Sequence, residues 1–213
     1  MIELKEKVLN KKVLEIGGPS ELLNFLYDFV ESIELLNHEN SMRVHHTADF
    51  PKKTTGKYFG DATSLEAFTS NNLFKKFDVV ITSHTLEHIA NPISALNLWK
   101  KCLVKGGIII TIVPNKNFCW DVVREYTSNQ HLLNDYLNNT SESDMTHVHE
   151  SSCMPRSNYY DEVGEFNETR IIHHHVFNQE SLNFIHEHVG FITKKSYIDE
   201  TDQLQMIYMG ING

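Results

Sequence analysis

The stretch from Lys12 to Ser20, Lys-Val-Leu-Glu-Ile-Gly-Gly-Pro-Ser, constrains this chain more than any other. It reads as a short buried strand that ends in a carboxylate and turns on two glycines. With no Cβ at Gly17 or Gly18, the backbone can turn sharply and come close to a ligand. Glu15, at the strand end, can accept hydrogen bonds. A strand, a glycine turn and a helix near the start of a chain is how open α/β sheets build a nucleotide pocket at the carboxyl ends of their strands. The glycines do not follow G-x-G-x-x-G, so a dinucleotide is not expected.

The rest of the chain extends that pattern. Residues 2–10 read as a short helix. Residues 21–30 place Leu22, Leu23, Phe25, Leu26 and Phe29 at helical spacing, with Ser20 as an N-cap type. Residues 33–38 read as a second strand, 45–56 as a polar loop, and 58–62 as a short third strand closing on Gly60-Asp61-Ala62; 64–68 is a short helix. Residues 77–83 form a nearly continuous apolar run, the mark of a parallel strand buried on both faces. Asn91-Pro92 opens a helix over 93–103, which Lys105-Gly106-Gly107 is expected to cap. Residues 108–113 are another buried strand, closed by Pro114. From 115 to 172 the pattern breaks, with helix-like pieces at 121–126 and 131–137. So long a stretch inside a compact domain reads as a lid or an insertion. Residues 179–188 are helical, and 191–198 and 203–209 are strands close enough to pair as an antiparallel hairpin. Residues 1–213 therefore read as a single domain with a histidine-rich insertion or lid at about 115–176.

Composition excludes several partners. A formal net charge of −9 and no basic stripe argue against nucleic acid. The longest apolar run, Ile108 to Val113, is interrupted by Thr111 and far too short to cross a bilayer, and the N-terminus has no apolar signal core. Membrane insertion is not expected. The three scattered cysteines, Cys102, Cys119 and Cys153, suggest free thiols in a reducing cytoplasm. A homodimer is compatible with the chain. Of 13 histidines, eight follow residue 130, an asymmetry that points to the insertion.

These pieces in this order resemble class I S-adenosylmethionine (SAM) methyltransferases over nearly the whole chain. The resemblance rests on Val13 to Gly18, Gly60-Asp61-Ala62, Phe77 to His88, and Lys105-Gly106-Gly107 followed by a strand and Pro114. It implies an α/β, Rossmann-like seven-stranded sheet, mostly parallel with an antiparallel last strand and helices on both faces. It implies SAM as cofactor, with Glu15, Gly17 and Gly18 facing the methionine part, Asn37 or His38 the ribose, and Asp61 and Ala62 the adenine. Ser83, His84 and His88 would line the floor. The sequence departs from the family pattern at Pro19-Ser20, where a third glycine is usual, and at Asn37-His38, where a carboxylate is usual. Trp120 to Thr127, His131 to Tyr136 and His173-His174-His175-Val176-Phe177 look like a bacterial subgroup associated with surface-polysaccharide biosynthesis.

Three sets of polar residues bear on the chemistry. His84-Thr85-Leu86-Glu87-His88 matches the inverted zinc-peptidase motif H-x-x-E-H, but it follows a buried strand directly and precedes Asn91-Pro92, so the peptidase reading is rejected. Asp121, Arg124, Thr127 and His131, if helical, form one polar stripe. Such a stripe is commonly a solvated face, but here it follows the fifth strand and reads as substrate contact together with His175. Arg124 would grip a phosphate or carboxylate. His147-Val148-His149-Glu150 and His173 to His175 are either loop histidines or, with His131, part of a metal site; a divalent metal is possible but not expected.

The expected reaction is methyl transfer from SAM to a small polar acceptor, at an oxygen of a sugar, a nucleotide-sugar or a phosphorylated metabolite. His131, His149 and His173 are candidates for the base that takes the hydroxyl proton. The competing readings are a binding or regulatory protein that has lost catalysis, and a metal-dependent enzyme on the same fold.

Overall fold

The computed structural model describes residues 2–38, 50–144, 146, 170, 172–201 and 203–213. Its centre is a seven-stranded sheet in the order β3-β2-β1-β4-β5-β7-β6. The strands are β1 (Lys12–Ile16), β2 (Ser32–Asn37), β3 (Thr54–Phe59), β4 (Phe77–Ser83), β5 (Leu103–Pro114), β6 (Phe191–Ile198) and β7 (Gln205–Asn212). β1, β2, β3, β4 and β5 run parallel; β7 runs antiparallel to both β5 and β6. Thus the expected fold is the one observed, and the final two strands do form a hairpin.

Sequence explains the register. β1 and β4 are apolar nearly throughout because both faces are covered, and Val13 and Leu14 pair with Val79 and Val80 at the sheet centre. One face packs Leu14, Ile16, Val80, Ile109 and Val113 with Trp99, Leu182 and Ile185. The other packs Val13, Ile33, Leu35, Ile81 and Ile110 with Leu4, Leu23 and Leu26. The helices on these faces are α1 (Ile2–Val8), α2 (Leu65–Ser70), α3 (Pro92–Lys100), α4 (Asn129–Leu137) and α5 (Gln179–His188). Asn91 caps α3 by accepting from the Ser94 amide, with Pro92 in the first turn where its missing N–H costs nothing. Asn178 and Ser181 cap α5 reciprocally. Among the described residues no helix is long and apolar enough to cross a membrane.

Some elements differ from the sequence expectation. Residues 21–26 form a 3-10 helix that stops short of Val30. β3 lies over Thr54–Phe59, partly in the expected polar loop, because it is an edge strand with alternating burial. Lys105-Gly106-Gly107 does not cap α3. That helix ends at Lys100, and the glycines lie within β5, where Gly106 takes a left-handed φ of +76°.

Candidate functional site

The carboxyl ends of β1, β2, β3 and β4 converge on one edge of the sheet. Gly17 has φ +84°, and its N–H donates to the Leu36 carbonyl at 2.8 Å. A Cβ there would sit 2.0 Å from Thr85 Oγ1, so glycine is required twice over. Glu15 lies beneath the turn, 1% exposed. Its carboxylate accepts from the Ser20 amide at 2.9 Å and the Tyr27 hydroxyl at 2.8 Å. A Cβ on Gly18 would come within 2.2 Å of its Cδ. Glu15 therefore braces the turn from inside, where the sequence reading turned it towards a ligand. Asn37 does similar work. Its Nδ2 donates to the Gly18 carbonyl at 2.7 Å and its Oδ1 accepts from the His38 amide at 2.8 Å. That leaves half-buried His38, one residue on, as the side chain at the exit of β2.

At the end of β3, Asp61 Oδ1 accepts from the Thr63 amide and hydroxyl at 2.8 and 2.7 Å, and Oδ2 pairs with Arg170. The Ala62 carbonyl accepts from Trp99 Nε1 at 2.8 Å. Ser83 receives the Ser20 hydroxyl at 3.3 Å and lies 3.2 Å from His84 Nδ1. His84 takes φ +51° as the chain leaves β4. Only Leu86–His88 turns, as one short 3-10 helix, so His84 and His88 do not share a helix face and the peptidase arrangement is absent.

Described residues after β5 add a wall beside this edge. After β5 a 3-10 helix spans Trp120–Val123, and Arg124 continues in extended conformation with ψ 151°. The expected helical stripe of Asp121, Arg124, Thr127 and His131 does not form. Arg124 turns inward instead: Nη1 donates to Asp121 Oδ1 at 2.9 Å and to the His173 carbonyl at 2.8 Å, and Nη2 to the His174 carbonyl at 3.3 Å. The Thr127 amide donates to the Val176 carbonyl at 2.9 Å, and its hydroxyl accepts the Val176 amide at 3.0 Å. Arg124 and Thr127 thus hold the strap of residues 172–177 in place and do not stand out as a substrate face. Asp121 Oδ2 receives His173 Nδ1 at 2.5 Å. Burial would raise the Asp121 carboxyl, but the hydrogen bond and charge of His173, followed by those of Arg124, outweigh it and hold it below the usual carboxylate range.

His88 completes the wall. Its Nδ1 donates to the Ile172 carbonyl at 2.9 Å, and its ring meets His173 edge-on at 4.6 Å. Glu87, 1% exposed, brings Oε1 to 3.9 Å from His88 Nε2. Donor atoms of Glu87, His88 and His173 lie within 4.8 Å of one another, a spacing that could hold a metal ion. A second such set is His131, Asp135 and His175. His131 Nε2 lies 3.3 Å from Asp135 Oδ2, while buried His175 places Nε2 3.0 Å from the Ala90 carbonyl and 3.7 Å from Asp135 Oδ2. The structure thus brings His173 and His88 together with Asp121, and groups His131 with His175 apart from them. His149 lies outside the described residues.

Sequence reasoning did not single out Glu87, Asp135, Glu142 or Arg170. Glu87 was visible inside H-x-x-E-H. Arg170, which pairs with both Asp61 and Glu142, had no local signal, because its partners are remote in sequence.

No curated protein sequence matches the chain. Among solved structures it is similar to a SAM-dependent methyltransferase from Aquifex aeolicus, at 10% identity and TM-score 0.58, covering 100% of this chain and 87% of that one. It is similar to the CurJ carbon methyltransferase, at 12% identity and TM-score 0.55, over 97% of this chain but only 49% of that protein, so it spans about half its length. An O-methyltransferase family 2 protein from Planctomyces limnophilus, solved with apigenin, matches at 9% identity and TM-score 0.56, over 97% of this chain and 51% of that one. At such identities these likenesses establish the fold. The sequence profile of a methyltransferase domain matches residues 3–193, nearly the full length, and the chain belongs to that family.

Proposed function

We propose that this protein transfers a methyl group from SAM to a hydroxyl of a small polar acceptor. The observation that carries the reading is the union of a side-chain-free turn at Gly17-Gly18 with a histidine wall at His88 and His173, on one edge of a methyltransferase-family sheet. The strand-end residues suit SAM. The turn presents bare backbone where the amino-acid end would lie, and it packs tightly from beneath: a Cβ at Gly17 would meet Thr85 and one at Gly18 would meet Glu15. His38 stands at the ribose position, and Asp61 and Ala62 at the adenine position. Ser83 and His84 stand beneath, at the exit of β4. When bound, SAM supplies an electrophilic methyl on a positively charged sulfur.

The protein's part is to hold the acceptor at attack distance and to manage the hydroxyl proton. His173 is the residue on which that proton turns, since Asp121 fixes its ring and Arg124 fixes Asp121. His131 faces Asp135 and His175 packs under Ala90, so neither is assigned contact with the acceptor. A sugar or sugar-linked acceptor, as in surface-polysaccharide biosynthesis, fits the polar wall beside Trp120, whose ring lies 5.1 Å from that of His173.

Mass spectrometry after incubation with SAM and separate pools of sugars, nucleotide-sugars and phosphorylated metabolites tests the reading. A gain of one methyl in any pool, with S-adenosylhomocysteine formed in equal amount, supports it. SAM binding with no product in any pool would favour a binding protein instead.

A further inference from the structure

We propose that Glu87, His88 and His173 form a binding site for one divalent transition-metal ion at the acceptor wall. Two imidazoles and one carboxylate are a donor set suited to first-row divalent ions, Zn²⁺ among them. Their donor atoms already lie within 4.8 Å of one another. The three ligands come from the end of β4 and from the strap, elements that the fold holds together: the His175 amide donates to the Glu87 carbonyl at 3.3 Å.

The outer partners carry the argument. A carbonyl oxygen only accepts, so His88 Nδ1, 2.9 Å from the Ile172 carbonyl, must carry its proton. His173 Nδ1 likewise donates to the Asp121 carboxylate. In a neutral imidazole this makes Nε2 the lone-pair nitrogen of both rings. Histidines that bind metals are held in this way, with the far nitrogen donating to a carbonyl or a carboxylate. Here even the carboxylate is fixed in turn, by buried Arg124. The second cluster is more open to solvent: the His131 side chain is 35% exposed, against 22% for His88 and 5% for His173, and Asp135 Oδ1 already accepts from Thr140.

Three protein ligands leave a coordination position for a further oxygen. A hydroxyl bound there would be made more acidic by the ion and its proton would pass to solvent; His173 would then serve proton removal by holding the ion, not by taking the proton itself. This consequence rests on the transferase reading; the ion site does not.

The test uses the full chain stripped of metal by a chelator. Zn²⁺ is titrated by calorimetry and Co²⁺ by visible absorption. The expected result is one ion per chain, with Co²⁺ bands of an ordered nitrogen–oxygen site. His88→Ala and His173→Ala should lose at least the ~100-fold in affinity that even an outer partner can cost. Asp121→Asn should weaken binding by roughly 10–100-fold. Glu87→Gln, which keeps the side chain's shape, gives a further readout if a histidine variant fails to fold. His131→Ala should bind as the wild type does. Wild-type protein that takes up no ion, or uptake that survives in Glu87→Gln and His173→Ala but is lost in His131→Ala, would overturn the proposal. SAM titration of the stripped protein keeps the two readings apart: SAM binding without metal uptake removes the ion site and leaves the transferase, and uptake without SAM binding does the reverse.

Discussion

His173 and His186 are both buried, at 4% and 0% exposure, yet their surroundings differ. His186, on α5 beneath the sheet, donates from Nδ1 to the Leu182 carbonyl at 2.7 Å, which leaves Nε2 to accept from the Thr111 hydroxyl at 2.8 Å. Its ring stacks on Tyr208 at 3.8 Å. Both nitrogens are matched to neutral partners, and burial drives its pKa down to about 3, against a small upward push from the Leu182 carbonyl. His173 instead sits between a carboxylate, another imidazole and, within reach, Glu87. Burial is common to both. On the reading proposed for His173, what separates it from a packing histidine is charge on its partners and like groups gathered beside it.

The largest expected effect breaks that contrast directly. His173→Ala should lower turnover by about 10²–10⁴-fold with SAM affinity unchanged, as read by steady-state rates beside calorimetry. His186→Gln should leave turnover nearly intact in whatever fraction folds. Equal losses in the two variants would erase the distinction.

Gly17→Ala probes the cofactor side. The φ of +84° and the approach to Thr85 both oppose a side chain, so at least about 1–3 kcal/mol of stability should be lost, together with SAM binding. A thermal melt at normal temperature with SAM bound would contradict the assigned turn. Asp121→Asn should leave the fold standing but unfix the His173 ring, lowering turnover by roughly 10–100-fold. A Michaelis analysis should place that loss in kcat.

His186 also predicts a pH effect. Its folded pKa lies near 3, below the ordinary value of 6.5, so its contribution to stability is full above pH 6.5 and is lost as pH falls towards 3. In that window the unfolded chain binds a proton that the folded chain refuses, at up to about 1.4 kcal/mol per pH unit. Melting temperatures across this range should fall more steeply for the wild type than for His186→Gln. Parallel curves would show that His186 is not held neutral.

The same contrast explains what was legible in the sequence. β1, β4 and β5 announced themselves because strands buried on both faces must be apolar throughout, and α5 because one face of it packs on the sheet. The glycine turn was legible as a turn, but the inward direction of Glu15 was not, since it depends on Tyr27 and Ser20 closing over the carboxylate. Asp121, Arg124 and Thr127 looked like a helical stripe by spacing alone. Arg124 leaves the helix because its guanidinium reaches the carbonyls of His173 and His174, about fifty residues away, as the separations of 49 and 50 record. His173 was nameable as a candidate from its neighbours in sequence. Its pairing with Asp121, and its meeting with His88 and Glu87, are tertiary facts that no local pattern encodes.

The most direct test of this account is calorimetric titration of SAM into the wild type, His173→Ala and Gly17→Ala under one set of conditions. The account predicts saturable binding to the first two with closely similar affinity, and none to Gly17→Ala. No heat from the wild type at millimolar SAM, or equal binding by all three proteins, would contradict it.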